Sequence, residues 1–177
     1  VVDASLMTSV ADIYNVGSTT AGTLSVTGAA GIPNVHLNGS NSNTTVGFAT
    51  ANVNGGAADS TTVALASSGT QANTSVTLNG VETINVATSG AMSGKADSVV
   101  AGALVSGTSV TIASDTLTTL AVTGDTGARL IADLTGATTT VTGTITSGDA
   151  ADDISFNAGG TDSISVNMGA GDDTVRL

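Results

Sequence analysis

The sequence predicts an all-β chain, a right-handed parallel β-solenoid (β-helix), and three observations predict it. Short segments of alternating β-branched and small polar residues recur along the 177 residues, which is the period-two pattern of strands. Several of these segments end in the same way, on a glycine two residues past their second aliphatic residue. Large side chains are scarce, with two Phe, one Tyr and no Trp. A globular core of ordinary thickness needs bulkier filler, whereas a stack of thin rungs does not.

In chain order the strand-like segments are Leu24-Ser25-Val26, Val35-His36-Leu37, Val63-Ala64-Leu65, Val76-Thr77-Leu78, Ile84-Asn85-Val86, Val110-Thr111-Ile112, Leu120-Ala121-Val122 and Ile164-Ser165-Val166. Each places two aliphatic side chains on one face and a small or polar one on the other. The shared exits are Val26-Thr27-Gly28, Leu37-Asn38-Gly39, Leu78-Asn79-Gly80 and Val122-Thr123-Gly124. A repeated exit implies stacked, equivalent rungs. The runner-up is a β-sandwich with Greek-key connections, which would want more aromatic filler. Helical periodicity is weak even at Ala91–Leu104, and 23 glycines are too many for long helices.

Composition excludes several functions. The formal net charge is −11, and the basic residues are Lys95, Arg129 and Arg176. Nucleic acid and anionic head groups would repel such a chain. No apolar run is long enough to span a bilayer, and no basic region precedes an apolar stretch as in a signal peptide. The absence of cysteine removes disulfides and thiolate metal sites. A mean hydropathy of +0.34 argues against a disordered linker. The chain begins without methionine and ends at Leu177 in a strand-like segment, so it is expected to be a fragment of a longer repeat array.

No catalytic constellation is visible, and the expectation is a non-enzymatic protein. His36, the one histidine, lies between Val35 and Leu37 and should point away from the core. There is no Gly-x-Ser-x-Gly elbow. A polysaccharide lyase would need a cationic cluster, and three scattered basic residues do not make one. Glycosidase chemistry needs two carboxylates flanking a groove, and the Asp pairs here sit in turns. The sequons at Asn38, Asn43 and Asn73 are expected chance matches in an Asn/Ser/Thr-rich chain. The threonine-rich run 138–146 raises ice binding, which would require the array in several successive rungs; threonine is also simply a good strand former.

The last thirty residues carry the most specific signal. Gly148-Asp149-Ala150-Ala151-Asp152-Asp153-Ile154, Ala158-Gly159-Gly160-Thr161-Asp162-Ser163-Ile164 and Gly169-Ala170-Gly171-Asp172-Asp173-Thr174-Val175 each join a Gly-containing turn to an aspartate, a spacer and an aliphatic residue. Glycine permits positive φ, which lets carbonyl oxygens turn inward, and aspartate adds a hard anionic oxygen. Calcium takes about six to eight such oxygens, more than one turn supplies. The competing reading is ordinary solvated β-turns.

These copies resemble the nonapeptide G-G-x-G-x-D-x-U-x of RTX proteins, which form calcium-bound parallel β-rolls. The copy at 169–175 fits well and the one at 158–164 loosely. The copy at 148–154 has Ala150 where the pattern wants glycine, and the aspartates are ten and then eleven residues apart. The segments Asn79-Gly80-Val81-Glu82-Thr83-Ile84-Asn85-Val86 and Leu117-Thr118-Thr119-Leu120-Ala121-Val122-Thr123-Gly124 are similar to rungs of large RTX-bearing surface-layer (S-layer) proteins of Gram-negative bacteria. The resemblance implies an extracellular structural protein, exported by a type I system, that self-assembles into a calcium-stabilised lattice on the cell surface. A region outside this stretch would then hold the cell-surface polysaccharide. The alternative is a calcium-dependent RTX adhesin module that binds a glycan or a host surface.

The resemblance also implies a division into solenoid rungs over residues 1–143 and RTX-like turns over 144–177. In a β-roll, turn n stacks on turn n+2, so Asp152 and Asp173 should share one calcium (Ca2+). The carbonyls of Gly148, Ala150, Gly169 and Gly171 should complete its shell. Asp162 should lie on the opposite edge. Asp149, Asp153 and Asp172 are expected to stand behind the metal's direct ligands or in solvent.

Overall fold

A computed structural model describes residues 1–16, 22–38, 42–49, 53, 59–66, 74–89, 99–100, 103–104, 110–124, 129–133, 142–146, 152–157 and 162–176. Among these residues the secondary structure is all β, with no helix. The strands are β1 (Val2–Asp3), β2 (Asp12–Val16), β3 (Gly22–Ala29), β4 (Asn34–Asn38), β5 (Ser42–Phe48), β6 (Ser60–Ala66), β7 (Thr74–Thr77), β8 (Thr83–Ser89), β9 (Val99–Val100), β10 (Ala103–Leu104), β11 (Val110–Ala113), β12 (Thr119–Gly124), β13 (Arg129–Asp133), β14 (Thr142–Thr146), β15 (Asp153–Asn157), β16 (Ser163–Asn167) and β17 (Thr174–Arg176).

Two parallel sheets hold fifteen of them. The first sheet runs β1-β3-β5-β7-β11-β13-β15-β17, and the second runs β2-β4-β6-β8-β12-β14-β16. The chain therefore alternates between sheets, and each strand pairs with the next strand of its own sheet, one full rung later. A parallel pair needs such a crossover; here the crossover is the strand of the other sheet. Rung length varies. Val26 pairs with Val46, Thr44 with Val76, Thr74 with Val110, and Asp153 with Thr174. The registers inside the sheets are fixed by backbone hydrogen bonds, and the corners absorb the differences. The longest rung contains β9 and β10, an antiparallel pair. That pair occupies the segment where the sequence carried its weak helical trace; residues 91–98 lie outside the described ones.

The core follows from register. Ile13, Val35, Val63 and Val86 form one column in the second sheet, beside Ile84 and Leu120. Thr44, Val76 and Ile112 form a column in the first. All are buried, and Val35, Val63, Val76, Ile84, Val86 and Ile112 have no exposure at all. Like-on-like stacking lets Val and Ile fill the space where aromatic residues would overfill it. Some inward positions break the apolar pattern, among them Thr61, in register with Ile84. Asn15 and Thr44, from opposite sheets, are both buried, and the Asn15 amide donates to Thr44 Oγ1 across the core at 2.9 Å.

Two glycine exits have a steric reason. Gly28 (φ 67) and Gly80 (φ 88) are left-handed, a conformation that glycine adopts without penalty. A Cβ on Gly28 would lie 2.9 Å from Ser5 Cβ, and one on Gly80 would lie 2.8 Å from Val53 Cβ. The chain turns the corner there against another rung, and only a hydrogen fits. Gly39 lies outside the described residues, and Gly124 closes β12.

Candidate metal centre

The turn before β17 has the backbone that the glycine pattern demands. Gly169 and Gly171 both have positive φ, 70° and 127°. The Gly169 N–H is held by the Asn167 side-chain oxygen at 3.2 Å, so the turn begins on the last residue of β16. It ends at Asp173, directly before Thr174.

Asp152 occupies the matching place one rung earlier, directly before β15. The register pairs Asp153 with Thr174 and Ile154 with Val175, so Asp152 and Asp173 stand in successive rungs on one edge. One hydrogen bond joins them directly, and a second ties Asp152 to Thr174. The Asp152 N–H donates to Asp173 Oδ1 at 2.8 Å, and the Thr174 N–H donates to the Asp152 carbonyl at 2.8 Å. Asp152 is buried, with 3% exposure. Asp162 is half-buried in the turn that leads into β16, in the other sheet. Gly148 and Ala150 lie outside the described residues.

Of the two places expected for Asp153, behind the metal's direct ligands or in solvent, burial excludes the second. Asp153 forms an ion pair with Arg176. The register sets Arg176 opposite Ser155 and Arg129 opposite Asp153. The Asp153 carboxylate thus has the Arg176 guanidinium as its partner, and a buried charge requires such a partner. Asp172 is exposed. Among the described residues no group of three or more His, Cys, Asp and Glu side chains gathers. Hard oxygens at this edge include the Asp152 and Asp173 carboxylates and the carbonyls of the Gly169–Gly171 turn. That is a hard-oxygen set of the right chemistry for calcium, but only part of the six to eight oxygens it takes.

The contact between Asp152 and Asp173 is one instance of a repeated device. The Asp59 N–H donates to Glu82 Oε2 at 2.9 Å, and the Thr83 N–H donates to the Asp59 carbonyl at 3.0 Å. Those are the same two bonds at the start of β8. At another corner the Gly80 N–H donates to Asp115 Oδ1 at 2.7 Å. Hydroxyls act in the same direction: Ser114 Oγ donates to the Val81 carbonyl at 2.8 Å and Thr61 Oγ1 to the Pro33 carbonyl at 2.6 Å. In every case a side chain of the later rung satisfies a backbone group of the earlier one. Corners leave backbone groups without ladder partners, and these side chains supply them. Sequence reasoning missed this device. Its signal was present: Asp59 and Glu82, like Asp152 and Asp173, are one rung apart and both directly precede a strand.

A second polar cluster lies on the outer face of β2 and β4. Tyr14 and His36 are register partners, and their rings stack with centroids 4.3 Å apart and planes 9° apart. His36 Nε2 lies 2.8 Å from Asp12 Oδ1, and the Asn34 amide donates weakly to the same oxygen at 3.4 Å. The His36 bond, followed by that of Asn34, holds the Asp12 carboxyl below the usual carboxylate range.

No family model, curated protein or solved structure matches the chain. The functional reading rests on the fold and these residues.

Proposed function

We propose that this chain is a structural, non-enzymatic segment of an RTX-type S-layer protein, built as a right-handed parallel β-solenoid whose last rungs form a calcium β-roll. Its work is self-assembly into a two-dimensional lattice outside the cell. The observation that carries this reading is the in-register placement of Asp152 and Asp173 on one edge, beside the positive-φ Gly169–Gly171 turn. Calcium there would bind the Asp152 and Asp173 carboxylates and offset part of the chain's net charge of −11. It would also clamp adjacent rungs. Gly148 and Ala150 would supply further carbonyls, and Asp162 would serve a second site on the other edge.

Electron microscopy of the protein in calcium tests the reading. A two-dimensional lattice that disperses in EDTA is expected; monodisperse particles at every calcium concentration would contradict it.

One observation favours the second reading, an adhesin module that binds a glycan. Tyr14 is 65% exposed, and its ring stacks on His36, next to Asp12 and Asn34. An aromatic face flanked by planar polar groups suits a sugar ring. Glycan-array binding that is lost in Tyr14→Ala, with no lattice, would favour the adhesin.

A further inference from the structure

Asparagine precedes glycine at Asn38–Gly39, Asn54–Gly55 and Asn79–Gly80. Such a step is chemically labile, because glycine has no Cβ to shield its nitrogen or restrict its backbone. The first two steps include residues outside the described ones, and the last lies in a described corner. Asn79 is exposed, and Gly80 has a φ of 88. The Val81 N–H closes the turn on the Leu78 carbonyl at 3.3 Å. A Cβ on residue 80 would lie 2.8 Å from Val53 Cβ. The corner thus forces a glycine behind an exposed asparagine.

The Gly80 nitrogen has a partner in the following rung: its N–H donates to Asp115 Oδ1 at 2.7 Å. Register brings the two residues together. Val76 and Thr77 pair with Ile112 and Ala113, and the Leu78 N–H continues the ladder to the Ala113 carbonyl at 2.9 Å. The N–H groups of Asp59 and Asp152 are likewise held by a carboxylate of the later rung. Those two residues follow Ala58 and Ala151, which have no side-chain carbonyl to attack. The Asp115 contact differs because it holds a nucleophile that sits next to an electrophile.

We propose that Asn79 is a deamidation site that Asp115 holds closed. In the reaction the Gly80 nitrogen gives its proton to hydroxide and bonds to Asn79 Cγ. The Cγ–Nδ2 bond breaks, the amide nitrogen takes a proton from water and leaves as ammonia, and a five-membered succinimide remains. Water then adds at one of the two ring carbonyls, and the ring opens to aspartate or isoaspartate. Asp115 opposes the first step in two ways. Its hydrogen bond stabilises the N–H form and aims that bond at the next rung. Its negative charge disfavours the anion that forms at the same nitrogen. Either product loosens the corner: aspartate sets a second carboxylate near Asp115, and isoaspartate adds a methylene to a backbone already packed on Val53.

The test follows Asn79 by peptide mapping and mass spectrometry while the full chain is held in mildly alkaline buffer. Folded wild type should deamidate at Asn79 more slowly than the same chain unfolded in urea. Asp115→Ala should deamidate there at least about tenfold faster than wild type, the loss expected for a hydrogen bond to a charged group. Asp115→Asn, which keeps an acceptor and loses the charge, should fall between them; it carries the same comparison if circular dichroism shows Asp115→Ala unfolded. Asn38 and Asn54 serve as controls within each chain and should keep their wild-type rates. A wild-type rate at Asn79 in both variants would overturn the proposal. A slower rate would overturn it too, because Asp115 would then act as a base that promotes attack. An equal rise at all three asparagines would assign the protection to the fold as a whole and remove Asp115 from it.

Discussion

Asp173 is the residue at which the metal reading and the hydrogen-bond reading make different predictions. Its Oδ1 accepts the Asp152 N–H at 2.8 Å, and Asp152 is 3% exposed. Asp173→Ala removes that acceptor and leaves a sheltered N–H without it, a loss of about 1–3 kcal/mol. The turn is partly open, since Gly169, Ala170, Gly171 and Asp172 are exposed. Water can then replace part of the lost bond, which puts the expected cost in the lower half of that range, about 1–2 kcal/mol. Asp173→Asn keeps a carbonyl oxygen of the same reach but removes the charge. Urea unfolding in EDTA should therefore show Asp173→Ala destabilised by about 1–2 kcal/mol and Asp173→Asn by less than half of that. On adding calcium, wild type should gain stability and both variants should gain little, because calcium binding stabilises through the charged site. Equal loss by Asn and Ala in EDTA would refute the hydrogen-bond role. An equal calcium gain by wild type and Asp173→Asn would refute the metal role.

Three further outcomes follow from the packing and the polar clusters. Gly28→Ala forces a left-handed φ of 67 on a residue with a Cβ, 2.9 Å from Ser5 Cβ; the backbone alone costs about 1–2 kcal/mol, so the urea midpoint should fall, and an unchanged midpoint would contradict the corner geometry. Ile84→Ala, at a position with no exposure, should cost about 2–5 kcal/mol with an unchanged m-value. The Asp12 carboxyl is held below its ordinary 3.8 by His36 and Asn34, so the stability it adds is present above that value and is lost as pH falls through its folded pKa; the stability gap between wild type and Asp12→Asn, measured by urea unfolding, should therefore be present near neutral pH and close in strong acid.

The strands were legible because burial leaves a period-two mark, and Val35, Val63, Ile84 and Ile112 all lie where alternation places a core residue. The exits at Gly28 and Gly80 were legible for the same kind of reason: a backbone that needs positive φ at a tight contact selects glycine. Rung length was not legible, because sheet register constrains the strands and leaves the corners free to vary, as the insertion of β9 and β10 shows. The placement of Asp152 and Asp173 on one edge was an expectation from the RTX resemblance, and the register of β15 with β17 sets the two residues in neighbouring strands. The bond between Asp153 and Arg176 could not be read from the sequence, because both residues occupy outward positions and only the register of β15 with β17 brings them together. Asn15 and Thr44 were hidden for a related reason, since their partnership crosses between two sheets that the sequence does not align.

Calcium titration by isothermal calorimetry tests the central claim most directly. The comparison is between wild type and the Asp152→Asn/Asp173→Asn protein, which keeps side-chain acceptors in place. Wild type should give a saturable heat and the double variant none, with both folded by circular dichroism in EDTA. No heat from wild type, or the same isotherm from both proteins, would contradict a calcium site at this edge.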